Sequence, residues 1–169
     1  MNELERWSNF YILTSAASAT LIGLLFIVIT LAASSGQDST KIRIYLTPNF
    51  IYFASVLFIA ALLTIPNHTR LSITVCICLL SIVGIVYTGP LFFRRSVKIN
   101  YNALLDRIPY AGFPLAAYGI LLIGGVLVLQ RPQFGLTLIA ASMLSLLAVA
   151  IRNSWSTVTY LVSKSSGSQ

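Results

Sequence analysis

Charged side chains are scarce in this chain. Its 169 residues include 11 Lys and Arg, four Asp and Glu and a single His, so only 9% are charged. No two of the four acids stand at helical spacing, which argues against general acid–base catalysis by a pair of carboxylates. We therefore expect no enzymatic activity and no cofactor.

Metal ligands are equally few. Besides the single His, the chain has two cysteines, Cys76 and Cys78. Two residues along a helix correspond to about 200° of rotation, so the two thiols should point in opposite directions. Since a structural zinc site needs about four nitrogen or sulfur ligands, we expect no metal site and interpret both cysteines as small packing residues.

What the sequence does contain is five long apolar runs without Asp, Glu, Lys, Arg or His. Each run is near the ~20 residues that an α-helix needs to cross a bilayer. A helix that is apolar on all sides is typical of a membrane span. The sequence therefore predicts an all-α, polytopic transmembrane helical bundle that forms one domain over residues 1–169. The predicted spans are 11–33, 47–65, 71–91, 108–129 and 135–151.

Basic residues divide unevenly between the two sides of these spans. Three lie on one side and eight on the other, and the three are Arg6, Arg70 and Arg131. Because basic residues accumulate in cytoplasmic loops, we expect the N-terminus outside the plasma membrane and the C-terminus inside. The net charge of +7 is then a determinant of orientation, and we expect no nucleic acid as a partner.

Small residues form a face on two of the predicted helices. On helix 1 they are Ser15, Ala19 and Gly23, and on helix 4 they are Gly112, Ala116 and Gly119. Small residues at this spacing let two helix backbones approach closely, which is how membrane helices pack. The faces could pack inside one subunit or between subunits, and the latter would make the protein a homo-oligomer.

Prolines and glycines mark the expected ends of the helices. Thr47 and Pro48 are typical of the start of a helix, and Gly89-Pro90 of the end of one. Pro114 falls inside predicted helix 4, where it should produce a kink. The connections 66–70 and 131–134 are short, so helices 2 and 3, and helices 4 and 5, should form antiparallel hairpins.

The segment 94–107 is the most charged part of the chain. Its four basic residues are Arg94, Arg95, Lys98 and Arg107. In helical form it would have one apolar face, which suits a helix at the headgroup boundary that contacts anionic lipid at the cytoplasmic face. A solvated loop that only sets the topology, and a docking surface for a protein partner, are the alternatives.

The start of helix 1 carries a resemblance. The residues Trp7-Ser8-Asn9-Phe10-Tyr11, the Ala/Ser run and Leu21-Ile22-Gly23-Leu24-Leu25-Phe26 resemble a set of small uncharacterised multi-spanning proteins of the bacterial inner membrane. The resemblance covers helix 1 and the overall hydropathy. It implies a bacterial inner-membrane location and carries over no site residues.

Two functional hypotheses follow from these features. The first is a non-enzymatic membrane protein that assembles with itself and could form a pore or channel, because two helices carry small-residue faces and Pro114 should kink helix 4. The second is an accessory or regulatory subunit of a larger membrane-associated complex, because the segment 94–107 is strongly basic and helix 5 continues in helical pattern beyond Arg152.

Overall fold

Five α-helices make up almost all of the computed structural model, which describes residues 2–34, 39–66, 69–93 and 112–166. No strand occurs in these ranges. Each helix contains a stretch long and apolar enough to cross a membrane, so the predicted all-helical fold with five candidate spans is confirmed. The helices are α1 (Asn2–Ser34), α2 (Ser39–Thr64), α3 (Arg70–Phe93), α4 (Phe113–Gln130) and α5 (Pro132–Ser166).

Two of the expected helix ends are wrong. The second helix begins at Ser39, so Pro48 lies inside it, and the third continues through Pro90 to Phe93. A proline inside a helix removes one hydrogen bond and crowds the preceding turn. The other backbone groups keep their partners when the helix continues, so one local loss at the proline does not end it.

The helices pack in an order that differs from their order in the chain. The central pair is α2 and α5; α1 lies along α2, α4 lies along α5, and α3 lies against α4. The outermost helix is α1, since only 17% of its candidate span is buried, against 50% for α2. One long side of α1 is therefore left uncovered within a single copy.

The two hairpins close very differently. The α4–α5 pair is tight, because a Cβ added at Gly135 would lie 2.7 Å from the Val128 nitrogen and 2.9 Å from the Gly124 oxygen. By contrast, α2 and α3 meet at only a few positions although a short connection joins them. We call the end of the bundle that carries both short connections the hairpin end.

The fifth helix is the longest, with 35 residues. Its candidate span ends at Ser156, and the helix continues to Ser166. The expectation that the helix continues beyond Arg152 is thus confirmed. Trp155 is 73% exposed near the end of that span.

Candidate functional site

A belt of hydrogen bonds joins neighbouring helices within their candidate spans, near the middle of the spans of α1, α2 and α5 and within the first two turns of α4. The Ser18 hydroxyl of α1 donates to the Phe53 carbonyl of α2 at 2.6 Å. The Ser142 hydroxyl of α5 donates to the Ala117 carbonyl of α4 at 2.7 Å. Hydroxyl donors that find a backbone carbonyl on the next helix stabilise contacts between apolar helices.

Tyr118 lies at the centre of this belt. Its side chain is fully buried, and its hydroxyl lies 2.7 Å from the Ser55 hydroxyl of α2. The ring packs onto Gly84 of α3, where an added Cβ would overlap the ring atoms. A single side chain of α4 therefore bridges α2 and α3, and it fills the space between them at mid-span.

Hydroxyls on the outer surface are bonded within their own helices. Thr20 donates to the Ala16 carbonyl at 2.9 Å, and Thr30 donates to the Phe26 carbonyl at 2.8 Å. Ser18 points into the α1–α2 interface while Thr20 is exposed. The hydroxyls of α1 therefore do not share one face of the helix along which an ion could pass.

The predicted small-residue face of α1 lies on the outside of the bundle. Ala19 and Gly23 are exposed, Ser15 is half-buried, and no atom of the described residues lies within 4 Å of a Cβ added at Gly23. Inside one copy, α1 instead buries a neighbouring face that includes Tyr11 and Ser18. Packing between copies stays a prediction for this face.

The predicted small-residue face of α4 also lies toward the outside of the bundle. Ala116 is exposed, Gly112 and Gly119 are half-buried, and none of the residues that the structure describes comes within 4 Å of a Cβ added at Gly119. Close packing within one copy uses other glycines, namely Gly84, Gly124, Gly125 and Gly135.

Pro114 is buried in the first turn of α4, which begins at Phe113. A first-turn proline costs no helical hydrogen bond, because its missing N–H would have no partner within the helix. A kink at Pro114 stays a prediction. Residues 94–107, with Arg94, Arg95, Lys98 and Arg107, lie outside the described residues.

Asn49 is a buried polar residue that sequence reasoning did not single out. Its side chain is 0% exposed, and within the described part of the chain neither of its amide atoms has a hydrogen-bond partner. A buried amide without a partner costs a few kcal/mol in an apolar setting. The sequence feature that could have pointed to Asn49 is its position as a lone amide in an otherwise apolar run, one residue after Pro48.

An apolar groove of about 470 Å³ opens between α2 and α3. Cys76 lines it, whereas the sulfur of Cys78 faces α4 and lies 3.5 Å from a Cβ added at Gly125. Both cysteines are free, and their predicted opposite directions are confirmed. The groove is lined by Phe58, Ala61, Leu62, Ile65, Cys76, Leu79, Leu80 and Val83.

The exposed cations of the described residues lie at the ends of the candidate spans. Arg70 begins α3, Arg131 separates α4 from α5, and both are at the hairpin end; Arg152 lies near the other end of the bundle. Among the described residues, no three His, Cys, Asp or Glu side chains come together in a way that could hold a metal ion.

Comparison with protein families, with curated proteins and with solved structures finds no match for this chain. The fold therefore defines only a broad class, that of small all-helical proteins with five helices long and apolar enough to span a membrane. The resemblance in helix 1 supplies no family assignment.

Proposed function

We propose that this chain is a non-enzymatic integral membrane protein that assembles with itself through the outer face of α1. The observation that carries the proposal is the exposure of Ala16, Ala19, Thr20 and Gly23 on the least buried helix. In lipid, large apolar side chains gain little from leaving one apolar environment for another, so close backbone approach becomes decisive. This face offers that approach.

Any pore would have to lie between copies. The middle of one copy is filled by buried aromatic side chains, including Tyr52 and Tyr118 with ring centroids 6.4 Å apart. A path between copies could be lined by backbone carbonyls or by an apolar gate. An ion-flux assay in vesicles, compared with empty vesicles, tests this part of the proposal, and absence of flux would leave self-assembly without a pore.

The experiment for self-assembly enlarges one small residue on each side of α1. Ala19 and Ala17 are both exposed and lie on roughly opposite sides of the helix. Energy transfer between two differently labelled populations in vesicles then reports association. We expect Ala19→Leu to weaken association by roughly tenfold, about 1.4 kcal/mol, and Ala17→Leu to leave it unchanged. Equal effects of the two substitutions would contradict the proposed face.

The location and orientation belong to the same proposal. The protein lies in a plasma membrane, that of a bacterium by the resemblance in helix 1, with the N-terminus outside and the C-terminus inside. The support is the distribution of the 11 Lys and Arg residues along the chain. Reporters fused to each terminus test the orientation. If a C-terminal reporter were active only outside the cell, the true orientation would be the opposite of the proposed one.

An accessory or regulatory role is the second candidate. The observation that favours it is the continuation of α5 to Ser166, with Trp155 exposed near the end of its candidate span. The basic residues Arg94, Arg95, Lys98 and Arg107 would provide a further docking surface for an acidic protein partner. Replacing these four by Glu should abolish cross-linking to that partner while insertion is retained. A variant that inserts normally and keeps its partner would contradict this hypothesis.

A further inference from the structure

Asn49 interrupts the apolar stripe with which α2 packs inside the bundle. The stripe continues at helical spacing through Tyr52, Phe53 and Val56, each no more than 2% exposed. Asn49 itself is 0% exposed and lies inside the candidate span of α2, which begins at Leu46. The fold therefore encloses a carboxamide among apolar side chains.

Neither polar atom of this carboxamide has a partner in the described ranges of the chain. The serine hydroxyls of the neighbouring turns are bonded elsewhere. Ser18 donates to the Phe53 carbonyl at 2.6 Å, and Ser55 donates to a carbonyl of its own helix at 2.8 Å. Most buried polar groups in proteins are hydrogen-bonded, either to protein or to ordered water. The Asn49 amide therefore requires a partner that these side chains do not supply.

Pro48, which precedes Asn49 and is also buried, leaves a second polar group in need of a partner. Because proline has no N–H, the carbonyl of Ile44 loses the donor that a regular helix would give it. Ordered water is one of the groups that replace such a donor next to a proline in a membrane helix. Helical side chains lean toward the N-terminus, so the Asn49 amide is displaced toward this carbonyl.

The unpaired atoms define the chemistry of a ligand. The Oδ1 of Asn49 and the Ile44 carbonyl oxygen each accept a hydrogen bond, and the Nδ2 of Asn49 donates one. A metal cation would bind only the oxygens, and an anion would bind only Nδ2. A water molecule can donate to both oxygens and accept from Nδ2, and about three hydrogen bonds are usual for a buried water. Water is also small enough for an enclosed site.

We propose that Asn49 and the Ile44 carbonyl bind one ordered water molecule inside the bundle. This water replaces the hydrogen bond that Pro48 removes, and it supports the continuation of α2 through the proline. The site is independent of self-assembly, because Asn49 is enclosed within one copy. The substitution Ala19→Leu, which should separate the copies, should therefore leave the bound water in place.

The experiment detects the water in the full wild-type chain. The protein, with ¹⁵N-labelled Asn and Phe, is placed in bilayers of deuterated lipid, and solid-state NMR follows the transfer of magnetisation from water to amide groups. Phe50 is the matched control, because it lies at the same depth but its side chain is 38% exposed on the outside of the helix. We expect the Asn49 side-chain amide to gain signal several-fold faster than the Phe50 backbone amide.

A thermodynamic cycle tests the link between the water and Pro48. Asn49→Leu removes two of the three hydrogen bonds of the water, so it should lower the ratio of folded to unfolded protein in mixed micelles by about fivefold. Pro48→Ala restores an N–H for the Ile44 carbonyl. In that background Asn49→Leu leaves no carbonyl without a donor, and it should have no cost.

Two results would overturn the proposal. One is a transfer to the Asn49 side chain that is no faster than the transfer to Phe50, because water of the headgroup region would then explain both signals. The other is an equal gain of stability from Asn49→Leu with and without Pro48, which is the behaviour of a dry, unpaired amide. The NMR comparison needs no variant, so it decides the question even where a substitution prevents folding.

Discussion

The α4–α5 and α2–α3 hairpins have short connections but opposite packing. In the first, Gly124 and Gly135 bring two backbones together. In the second, the two helices leave an open groove between them, whose lining includes the mostly exposed side chains of Phe58 and Leu79. A short connection thus makes two helices neighbours, whereas the residues facing each other decide whether the pair closes. The first hairpin is therefore closely packed, and the second leaves an apolar groove uncovered within one copy.

The largest expected effect breaks the tight hairpin. Gly135→Ala places a Cβ against backbone atoms of α4 that cannot move separately, so it should lower the free energy of unfolding by about 1–3 kcal/mol. Gly89→Ala is the control, because nothing lies within 4 Å of its added Cβ. The control should gain about 0.5–1 kcal/mol from helix propensity. Reversible unfolding in mixed micelles measures both, and equal stabilities would contradict the close approach.

A smaller effect is expected at the belt. Gly84→Ala pushes the Tyr118 ring away from α3 and strains its hydrogen bond to Ser55. The loss should be about 1–2 kcal/mol, combining overpacking with a weakened hydrogen bond. In the background Tyr118→Leu, which lacks the ring, the same substitution should cost much less. A cost that does not depend on residue 118 would mean that the two residues are not coupled.

The smallest effect is expected in the splayed hairpin. Ala61 is exposed and lines the groove, so Ala61→Leu should change the free energy of unfolding by less than about 0.5 kcal/mol. The same micelle titration measures it. A large destabilisation would show that α2 and α3 close more tightly than described.

Much of the fold could be predicted from the sequence because five uncharged runs specify five apolar helices. The continuation of the helices through Pro48 and Pro90 could not be predicted from the sequence. The cost of one proline is local, while the benefit of continuing the helix depends on its surroundings. The sequence indicates the two small-residue faces, but it does not indicate that they lie on the outside of the bundle. That outcome depends on which face of α1 meets α2, and hydropathy is nearly uniform around the helix.

The belt and the groove were beyond sequence reasoning for a related reason. Ser18, Ser55 and Ser142 look like any other serine in an apolar helix, and many such hydroxyls bond within their own helix, as Ser145 does to the Ala141 carbonyl. Only the packing order distinguishes those that reach a neighbouring helix. The groove is likewise a property of two helices together.

Self-assembly is tested most directly by the mass of the protein released from its native membrane together with surrounding lipid. Native mass spectrometry of such particles should give a whole multiple of the 18.4 kDa chain greater than one, and Ala19→Leu should shift the distribution toward single chains. A wild-type mass of one chain plus lipid at every concentration would contradict the assembly proposed for the outer face of α1.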